Sequence, residues 1–267
     1  MCHSNGYPRN PGIFEIVKKT KVLCILIKQS EYSDSSLILR CLSREHGLIG
    51  VIAKGIRKQT EKHQLSNLCE YELGLYEPKE AGLWLLYDED LVKDYSRFPT
   101  PATWAAAECG IEMISQMIVP ADEHLRLYEL TISYLDYLQG VSTNAVLIFW
   151  RLFLRLLRFS GVGSPLDECC LCHQSLSNYT IIDQQHWGFV CRQCVQDMQN
   201  LEHLLYLSPL SAGILRLMPE IGKHLNDLRP GKQEISEINN LLEKYWDMHH
   251  KQTLRLKSLS VLSQFYH

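Results

Sequence analysis

Short apolar segments separated by polar turn residues occupy the first third of the chain. Each segment is five to seven residues long and rich in Val, Ile, Leu, Tyr or Trp, which is too short for a helix and typical of a β-strand. The predicted strands are residues 22–27, 36–42, 48–53, 71–76 and 83–87. Five strands at this spacing predict a small, partly open barrel of the OB-fold type.

The periodicity changes after Phe98, where Pro99 and Pro101 mark a boundary. Beyond them apolar residues recur at three- and four-residue spacing, as in amphipathic helices. Gly140 and Gly161 are predicted to end two of these helices, and Asp122 or Thr143 to cap their starts. The predicted helices are residues 103–119, 121–140, 143–161, 211–224 and 234–265.

The pattern therefore predicts an α+β chain, in which a five-stranded OB-fold barrel is followed by an α-helical domain. We expect a lead-in at residues 1–20, the barrel at 21–98 and the helical domain at 99–267, with a small cysteine-rich module at 166–200. A chain of 267 residues with 46% hydrophobic residues is long enough for such an arrangement.

Composition argues against a membrane protein. The most apolar stretch, residues 145–159, is interrupted by Arg151 and Arg155, and Arg158 lies near its end, so it is not a membrane span. The first twelve residues lack the apolar core of a signal peptide. We therefore predict a cytoplasmic protein without a membrane partner.

The three arginines share one helix face, where they either bind DNA or an acidic peptide, or pair with acids of neighbouring helices.

Charge is distributed unevenly along the chain. Residues 1–64 carry 11 Lys and Arg against 5 Asp and Glu, a net charge of +6, whereas residues 65–267 carry −9. A basic first domain is typical of a protein that binds a polyanion, although a solvated face would give the same count. The predicted DNA-binding residues lie on one hairpin and its following loop: Arg40, Arg44, Lys54, Arg57, Lys58 and Lys62.

Five of the ten cysteines lie between Asp167 and Cys194, and four of them form two C-x2-C pairs separated by 18 residues. This spacing is typical of a structural zinc site. Each C-x2-C turn brings two thiolates to one metal, and the residues between the pairs read as two short strands, 179–183 and 187–191. The predicted Zn²⁺ ligands are Cys169, Cys172, Cys191 and Cys194.

Other interpretations of this segment remain open. A disulfide knot is disfavoured in the cytoplasm, a redox C-x2-C lacks its βαβ setting, and a zinc deaminase needs an H-x-E motif that this chain does not contain. Cys170, His173 and His186 are alternative ligands. Four thiolates close the zinc shell and leave no position for a reactive water, so the predicted metal is structural.

Catalytic signatures are absent from the sequence. There is no phosphate-binding GxxxxGK[ST] loop, no GxGxxG, no GxSxG and no HExxH. We therefore predict that the chain is not an enzyme.

The order of these parts resembles the RecO family of bacterial recombination mediators. The similarity covers nearly the whole chain from Val22 and is carried by three segments: SREHG…AKGIRK within residues 43–58, the approach LxxxGxxPxxxxC to the first cysteine pair, and Lys257–Ser258. One departure is local: the family usually has two glycines before the second pair, and here Trp187 precedes Gly188.

The resemblance implies an OB-fold, a helical domain and an embedded zinc module. It further implies a protein that binds single- and double-stranded DNA and anneals strands coated by single-stranded DNA-binding protein. With a RecR-like partner such a protein helps to load a RecA-type recombinase in recombinational DNA repair. It implies that the helical domain receives the acidic, apolar-ended tail of the single-stranded DNA-binding protein, and association with the nucleoid follows from these roles.

The residues themselves also favour DNA binding. Lysine and arginine neutralise phosphates and release counterions, and aromatic rings stack on exposed bases. The aromatic candidates, most of which are expected in the core, are Tyr32, Tyr71, Tyr76, Trp84 and Tyr87. Two alternatives are a protein-interaction adaptor with an OB-fold and a zinc ribbon, and a subunit of a nucleic-acid-processing enzyme.

Overall fold

The computed structural model describes residues 18–58, 65–78, 80–159, 161, 165–176, 179–250 and 253–266. It has a five-stranded β-barrel followed by a helical domain, and a small three-stranded sheet lies within the helical part of the chain. The predicted α+β class, with a five-stranded barrel ahead of a helical domain, is confirmed.

Five strands close the barrel in the order β1-β2-β3-β5-β4. All neighbours are antiparallel except β3 and β5, which run parallel at Val51–Trp84 and Ile52–Leu85. The strands are β1 (Lys19–Glu31), β2 (Leu37–Ser43), β3 (Gly47–Ala53), β4 (Cys69–Tyr76) and β5 (Trp84–Asp94). Strands β1 and β5 are longer than predicted because their polar ends are also paired. The start of β1 and most of β5 pair with β4, and the end of β1 pairs with β2.

Strand β1 is buried on both faces, which explains its continuous apolar segment. Val22, Cys24 and Leu26 point into the barrel core. Ile25 and Ile27 belong instead to the core of the helical domain. Because successive side chains of a strand point to opposite faces, the middle of this one strand joins the two cores.

The helical domain is built around α3, whose buried side chains include Trp150 and Phe153. Its helices are α1 (Pro101–Ile114), α2 (His124–Gln139), α3 (Ala145–Phe159), α4 (Arg192–Gln196), α5 (Pro209–Leu217), α6 (Lys232–His249) and α7 (Lys257–Ser263). The predicted C-cap Gly140 ends α2. The predicted N-cap Asp122 is wrong, since α2 follows Glu123 without a side-chain cap.

The single long helix predicted at residues 234–265 is also wrong. Helix α6 ends at His249, and Leu254 to Leu256 are not helical before α7 begins. The non-helical segment is held by a hydrogen bond from the Leu254 N–H to Asp247 (3.3 Å) and by two bonds between the Arg255 backbone and Gln116 (3.1 and 3.2 Å). This segment therefore lies against the end of α1.

The cysteine-rich module lies between α3 and α5. Its sheet has the order β7-β6-β8, formed by β6 (Ile181–Asp183), β7 (Gly188–Phe189) and β8 (Leu204–Tyr206). Both strands predicted between the cysteine pairs are present, although shorter than expected. The antiparallel pairing of β6 with β7 turns the chain back, so that the second pair lies beside the first.

Buried polar contacts fix the barrel against the helical domain. The Tyr128 hydroxyl donates to the Glu70 carboxylate at 2.5 Å, and the Gln139 amide donates to the Asp94 carbonyl at 3.2 Å. Gly47 has φ +64° at the β2–β3 turn, and a Cβ there would lie 2.6 Å from the His124 ring. The barrel and α2 are therefore closely packed.

Candidate metal centre and nucleic-acid interface

Four cysteine side chains of the module converge on one point. The two pairs, Cys169 with Cys172 and Cys191 with Cys194, place all four sulfurs within 4.8 Å of one another. The first pair lies on a turn between the bridge partners Glu168 and Ser175. In the second pair Cys191 is the N-cap of α4. The β6–β7 hairpin thus brings together two cysteine pairs that are 18 residues apart in the sequence.

The sulfur geometry suits a tetrahedral metal. The Sγ atoms of Cys169 and Cys194 are 3.9 Å apart, and those of Cys172 and Cys191 are 3.8 Å apart. A tetrahedron with metal–sulfur bonds of about 2.3 Å has an edge of about 3.8 Å. The four thiols therefore fit one tetrahedral ion, and such an ion has no ligand position left for a substrate.

Backbone N–H groups support the thiolate form, which is the form that binds metal. Burial raises the pKa of the Cys169 thiol, but hydrogen bonds from the backbone of Cys172, Cys191 and Leu171 outweigh it and lower that pKa to about 6. The Cys191 N–H lies 3.4 Å from the Cys169 sulfur, and the Cys194 N–H lies 3.4 Å from the Cys191 sulfur. Such N–H···S contacts are typical of metal-binding knuckles.

The alternative ligands lie outside the four-sulfur cluster. Burial and the nearby Asp183 carboxylate raise the pKa of the Cys170 thiol to about 12, which disfavours its thiolate form. His173 is 3.1 Å from Glu168, and His186 is 2.7 Å from Asp183. Each of these two histidines thus contacts a carboxylate.

The predicted DNA-binding residues are spread along the β2–β3 hairpin rather than collected at one point. Arg40 is exposed in the middle of β2, Arg44 is exposed in the β2–β3 turn, and Lys54 is exposed beyond the end of β3. A seven-residue strand is about 20 Å long, so Arg44 and Lys54 lie at opposite ends of the hairpin.

Arg57 has an acidic partner. Its guanidinium lies 2.9 Å from the Glu31 carboxylate and donates to the Ser33 carbonyl at 3.1 Å. Part of its charge is therefore already neutralised. The Lys58 side chain and the whole of Lys62 lie outside the described residues.

Lys28 is a basic residue of this surface that sequence reasoning missed. It is the direct cross-strand partner of Arg40 in the β1–β2 ladder, and both side chains are exposed. Like charges in this position repel each other, and none of the ion pairs among the described residues includes either one. The pairing depends on register, so no local sequence signal identifies it.

Two further basic residues approach from the C-terminal segment. The Arg40 guanidinium donates to the Ser115 carbonyl at 2.5 Å, and the next residue, Gln116, bonds the backbone of Arg255. Arg255 and Lys257 are both exposed. We call Lys28, Arg40, Arg255 and Lys257 together the basic surface. Two of its residues lie on the barrel and two on the C-terminal segment that is bonded to Gln116.

Lys18 and Lys21, at the start of β1, are neutralised by acids at the end of β4, on β4 and on β5. Lys18 lies 3.1 Å from Glu77. Lys21 lies 2.5 Å from Glu72 and 3.8 Å from Asp90. In the barrel, the cations without an acidic partner among the described residues therefore lie mainly on the β2 side.

The aromatic candidates divide as expected into core and surface. Tyr71 and Trp84 are buried in the barrel core. Tyr32 is 62% exposed in the loop before β2. Tyr76 and Tyr87 pair at 4.9 Å, with the Lys19 ammonium over both rings. Tyr32 is therefore the most exposed of the five candidate rings.

The three arginines of α3 line a cleft of about 230 Å³ between α3, α6 and the metal module. None of the ion pairs in the described part of the chain includes Arg151, Arg155 or Arg158. Partial burial and the neighbouring guanidinium groups, Arg151 first among them, lower the pKa of Arg155. The opposite wall is apolar and aromatic, with Trp187 and Tyr245. This arginine cleft is smaller than a typical pocket for a drug-sized ligand, about 300–1,000 Å³, and suits one or two side chains.

Comparisons with known proteins decide the family. A family model described as the N-terminal part of recombination protein O matches residues 17–95, and one described as its C-terminal part matches residues 99–260. The chain belongs to the RecO family. A DNA repair protein RecO of Bacillus pumilus is 26% identical over 248 residues, covering 90% of this chain and 92% of that protein. One from Desulfitobacterium hafniense is 30% identical over 232 residues, covering 80% of each chain.

RecO membership places this chain among DNA repair and recombination proteins. RecO is a family of recombination mediators rather than of enzymes, so the prediction that the chain is not an enzyme is confirmed. Among the described residues of this RecO protein, no helix is both long and apolar enough to span a membrane.

Proposed function

We propose that this chain is a non-catalytic recombination mediator that binds single- and double-stranded DNA and anneals complementary strands. With a RecR-like partner it helps to load a RecA-type recombinase, and it acts in the cytoplasm on nucleoid DNA. Family membership and the open basic side of the barrel both support this role. The division into a barrel at residues 21–98 and a helical domain at 99–267 is part of the proposal.

The observation that carries DNA binding is the pairing of Lys28 with Arg40. Two exposed cations held opposite each other on adjacent strands are unfavourable unless an anion lies between them. A phosphodiester backbone supplies such anions at regular spacing. Arg44 and Lys54 extend the same hairpin toward either end, while Arg57, Lys58 and Lys62 continue the chain beyond Lys54.

A salt titration of oligonucleotide binding tests this assignment. Each phosphate contact with single-stranded DNA contributes a slope of about −0.7 to log affinity against log salt. The double variant K28A/R40A should flatten the slope by about 1.4 and weaken binding. The matched control K18A/K21A removes the same charge from lysines already paired with acids, and should change binding far less. Equal effects of the two variants would contradict the assignment.

Strand annealing on DNA coated with single-stranded DNA-binding protein tests the mediator role. The intact chain should accelerate annealing, and K28A/R40A should lose most of that acceleration while K18A/K21A keeps it. A chain that binds DNA with the expected salt slope but does not anneal coated strands would refute the mediator role and leave DNA binding in place.

The arginine cleft supports a second contact, with the tail of the single-stranded DNA-binding protein. That tail is acidic and ends in apolar residues. Arg151, Arg155 and Arg158 match the acidic part, and the apolar wall matches the end. A labelled tail peptide should bind the intact chain and lose affinity with R155A, whereas K18A/K21A should bind it normally.

We propose that the metal is Zn²⁺ and that it is structural. The four sulfurs have the separations of a closed tetrahedral site, and thiolates favour zinc over the harder cations. Elemental analysis of the purified protein should find about one zinc per chain. A C172S/C194S variant should retain little zinc and unfold at a lower temperature.

A further inference from the structure

We propose that Ile118 is an apolar wedge that enters between two neighbouring bases of a DNA strand whose phosphates lie on the basic surface. The inference rests on the DNA binding proposed above, and it adds a contact with bases to the contacts with phosphates. Ile118 lies in the loop of residues 115–120, which follows α1 and leads to the short turn before α2.

The side chain of Ile118 is more exposed than the other large apolar side chains among the described residues. It is 87% exposed, whereas the next values, those of Tyr32 and Tyr206, are 62%. Its two neighbours are turned inward: Met117 is buried in the core of the helical domain, and Val119 packs against that core. An isoleucine turned outward forgoes the free energy that its burial would give. A ligand that covers this side chain recovers that free energy.

The loop is fixed on both sides of Ile118. Backbone bonds continue the last turn of α1 as far as Met117, whose N–H donates to the Ile114 carbonyl at 3.1 Å. On the other side Pro120 has a restricted φ, and its carbonyl accepts the Glu123 N–H at 3.0 Å. A side chain on a segment that is already positioned loses little conformational entropy when it binds.

The same loop is bonded to two exposed arginines, one from the barrel and one from the C-terminal segment. Its first residue, Ser115, accepts a hydrogen bond from the Arg40 guanidinium at 2.5 Å. The side-chain amide of Gln116 bonds the Arg255 backbone twice, at 3.1 and 3.2 Å. Both arginines are exposed, and none of the ion pairs within the described residues includes either one. An apolar side chain beside these two cations suits a polyanion that also has apolar faces.

Single-stranded DNA combines those two properties. Its phosphates are regularly spaced anions, and its bases present apolar faces once they are unstacked. Proteins that deform DNA insert isoleucine, leucine, methionine or phenylalanine between base steps and hold the bases apart. The last acid of α1, Glu112, is half-buried and accepts the Ser258 N–H at 3.0 Å, so its carboxylate is already engaged. A wedge at Ile118 would keep one base step open for pairing with a complementary strand while the cations hold the backbone.

Fluorescence of 2-aminopurine tests the inference on the full chain, because this base analogue brightens when its neighbours no longer stack on it. The probe is a twelve-base adenine strand with 2-aminopurine at every third position, a length within the roughly 4–16 bases that a single-strand site covers. The variants are I118A, which removes the wedge, and I118M, which retains an apolar side chain. The matched control is L91A, because Leu91 is a 60% exposed aliphatic residue on β5, a strand that carries none of the basic surface.

Saturating wild-type protein should brighten the probe, and I118A should lose most of that increase although it still binds. The affinity of I118A should fall about three- to tenfold, because the isoleucine surface is no longer covered by DNA. Its slope of log affinity against log salt should stay within about 0.3 of the wild-type slope, since no phosphate contact is lost. I118M should keep most of the increase in fluorescence, and L91A all of it. The melting temperature of each variant should stay within about 2 °C of the wild type, as for other exposed positions.

Three results would overturn the inference and leave DNA binding in place. If I118A binds the probe as tightly as the wild type and brightens it equally, Ile118 does not enter between bases. If I118A flattens the salt slope or melts at a clearly lower temperature, Ile118 supports the structure of the basic surface instead. If I118A anneals bare strands normally but fails on strands coated with single-stranded DNA-binding protein, Ile118 contacts a protein. A wild-type chain that does not bind the probe at all would refute the proposed DNA binding, and the inference would fail with it.

Discussion

Removing Lys28 should weaken DNA binding and at the same time make the free protein more stable. Lys28 and Arg40 are direct cross-strand neighbours, and both are exposed. If their charges lie about 6–8 Å apart, their repulsion in water is about 0.5–0.7 kcal/mol. K28A removes this repulsion, together with an exposed side chain whose loss costs little else.

The expected stabilisation is small but measurable. For a chain of this size about 0.5–0.7 kcal/mol corresponds to an increase of about 1–2 °C in the melting temperature. Because the repulsion is screened within about 3 Å at 1 M salt, the increase should be present at low salt and vanish at high salt. Scanning calorimetry at 20 mM and 1 M sodium chloride would measure both values.

Lys21 provides the control, since K21A breaks ion pairs with Glu72 and Asp90. It should leave the melting temperature unchanged or slightly lower at low salt, and it should leave DNA affinity nearly unchanged. A K28A protein that is less stable than wild type at low salt would refute the idea that uncompensated repulsion marks the binding surface. Unchanged DNA affinity in K28A would refute it independently.

Three further predictions concern the contacts around this surface. E31Q should release Arg57 from its ion pair and strengthen binding to single-stranded DNA at low salt, whereas weaker binding would contradict a contact from Arg57. C191S should lose zinc and reduce tail-peptide affinity more than DNA affinity in anisotropy assays; a larger loss of DNA affinity would contradict the placing of the metal module. Y128F should lower the free energy of unfolding by about 1.5–3 kcal/mol in urea titrations, because it deprives the buried Glu70 carboxylate of a donor; a change below about 0.5 kcal/mol would show that Glu70 finds another partner.

Local patterns were sufficient to predict the barrel strands and the cysteine cluster. The segment from Val22 to Ile27 has a strand's composition because both of its faces are buried, one in each core. The two C-x2-C pairs carry their own geometry, so only the direction of the intervening hairpin had to be inferred. These two features are fixed by neighbouring residues and were therefore readable from the sequence.

Features fixed by distant contacts were not readable. The break between α6 and α7 leaves apolar spacing almost intact, and the segment between the two helices is bonded at Arg255 to Gln116, just beyond the end of α1. The same docking brings Arg255 toward Arg40, which is 215 residues earlier in the chain. No window of the sequence contains both residues, so the C-terminal part of the basic surface could not be predicted.

The position of acids, rather than the number of bases, decides which face of the barrel can bind a polyanion. A net charge of +6 over residues 1–64 would suggest that the whole domain is attractive to DNA. The register of β1 with β4 places Lys21 opposite Gly74 and beside Glu72. This side of the barrel therefore adds little to the positive electrostatic potential. The register of β1 with β2 places Lys28 opposite Arg40 instead. A shift of one residue in either ladder would redistribute these pairs, so the strand register determines which cations of the barrel remain without an acidic partner for the proposed DNA contact.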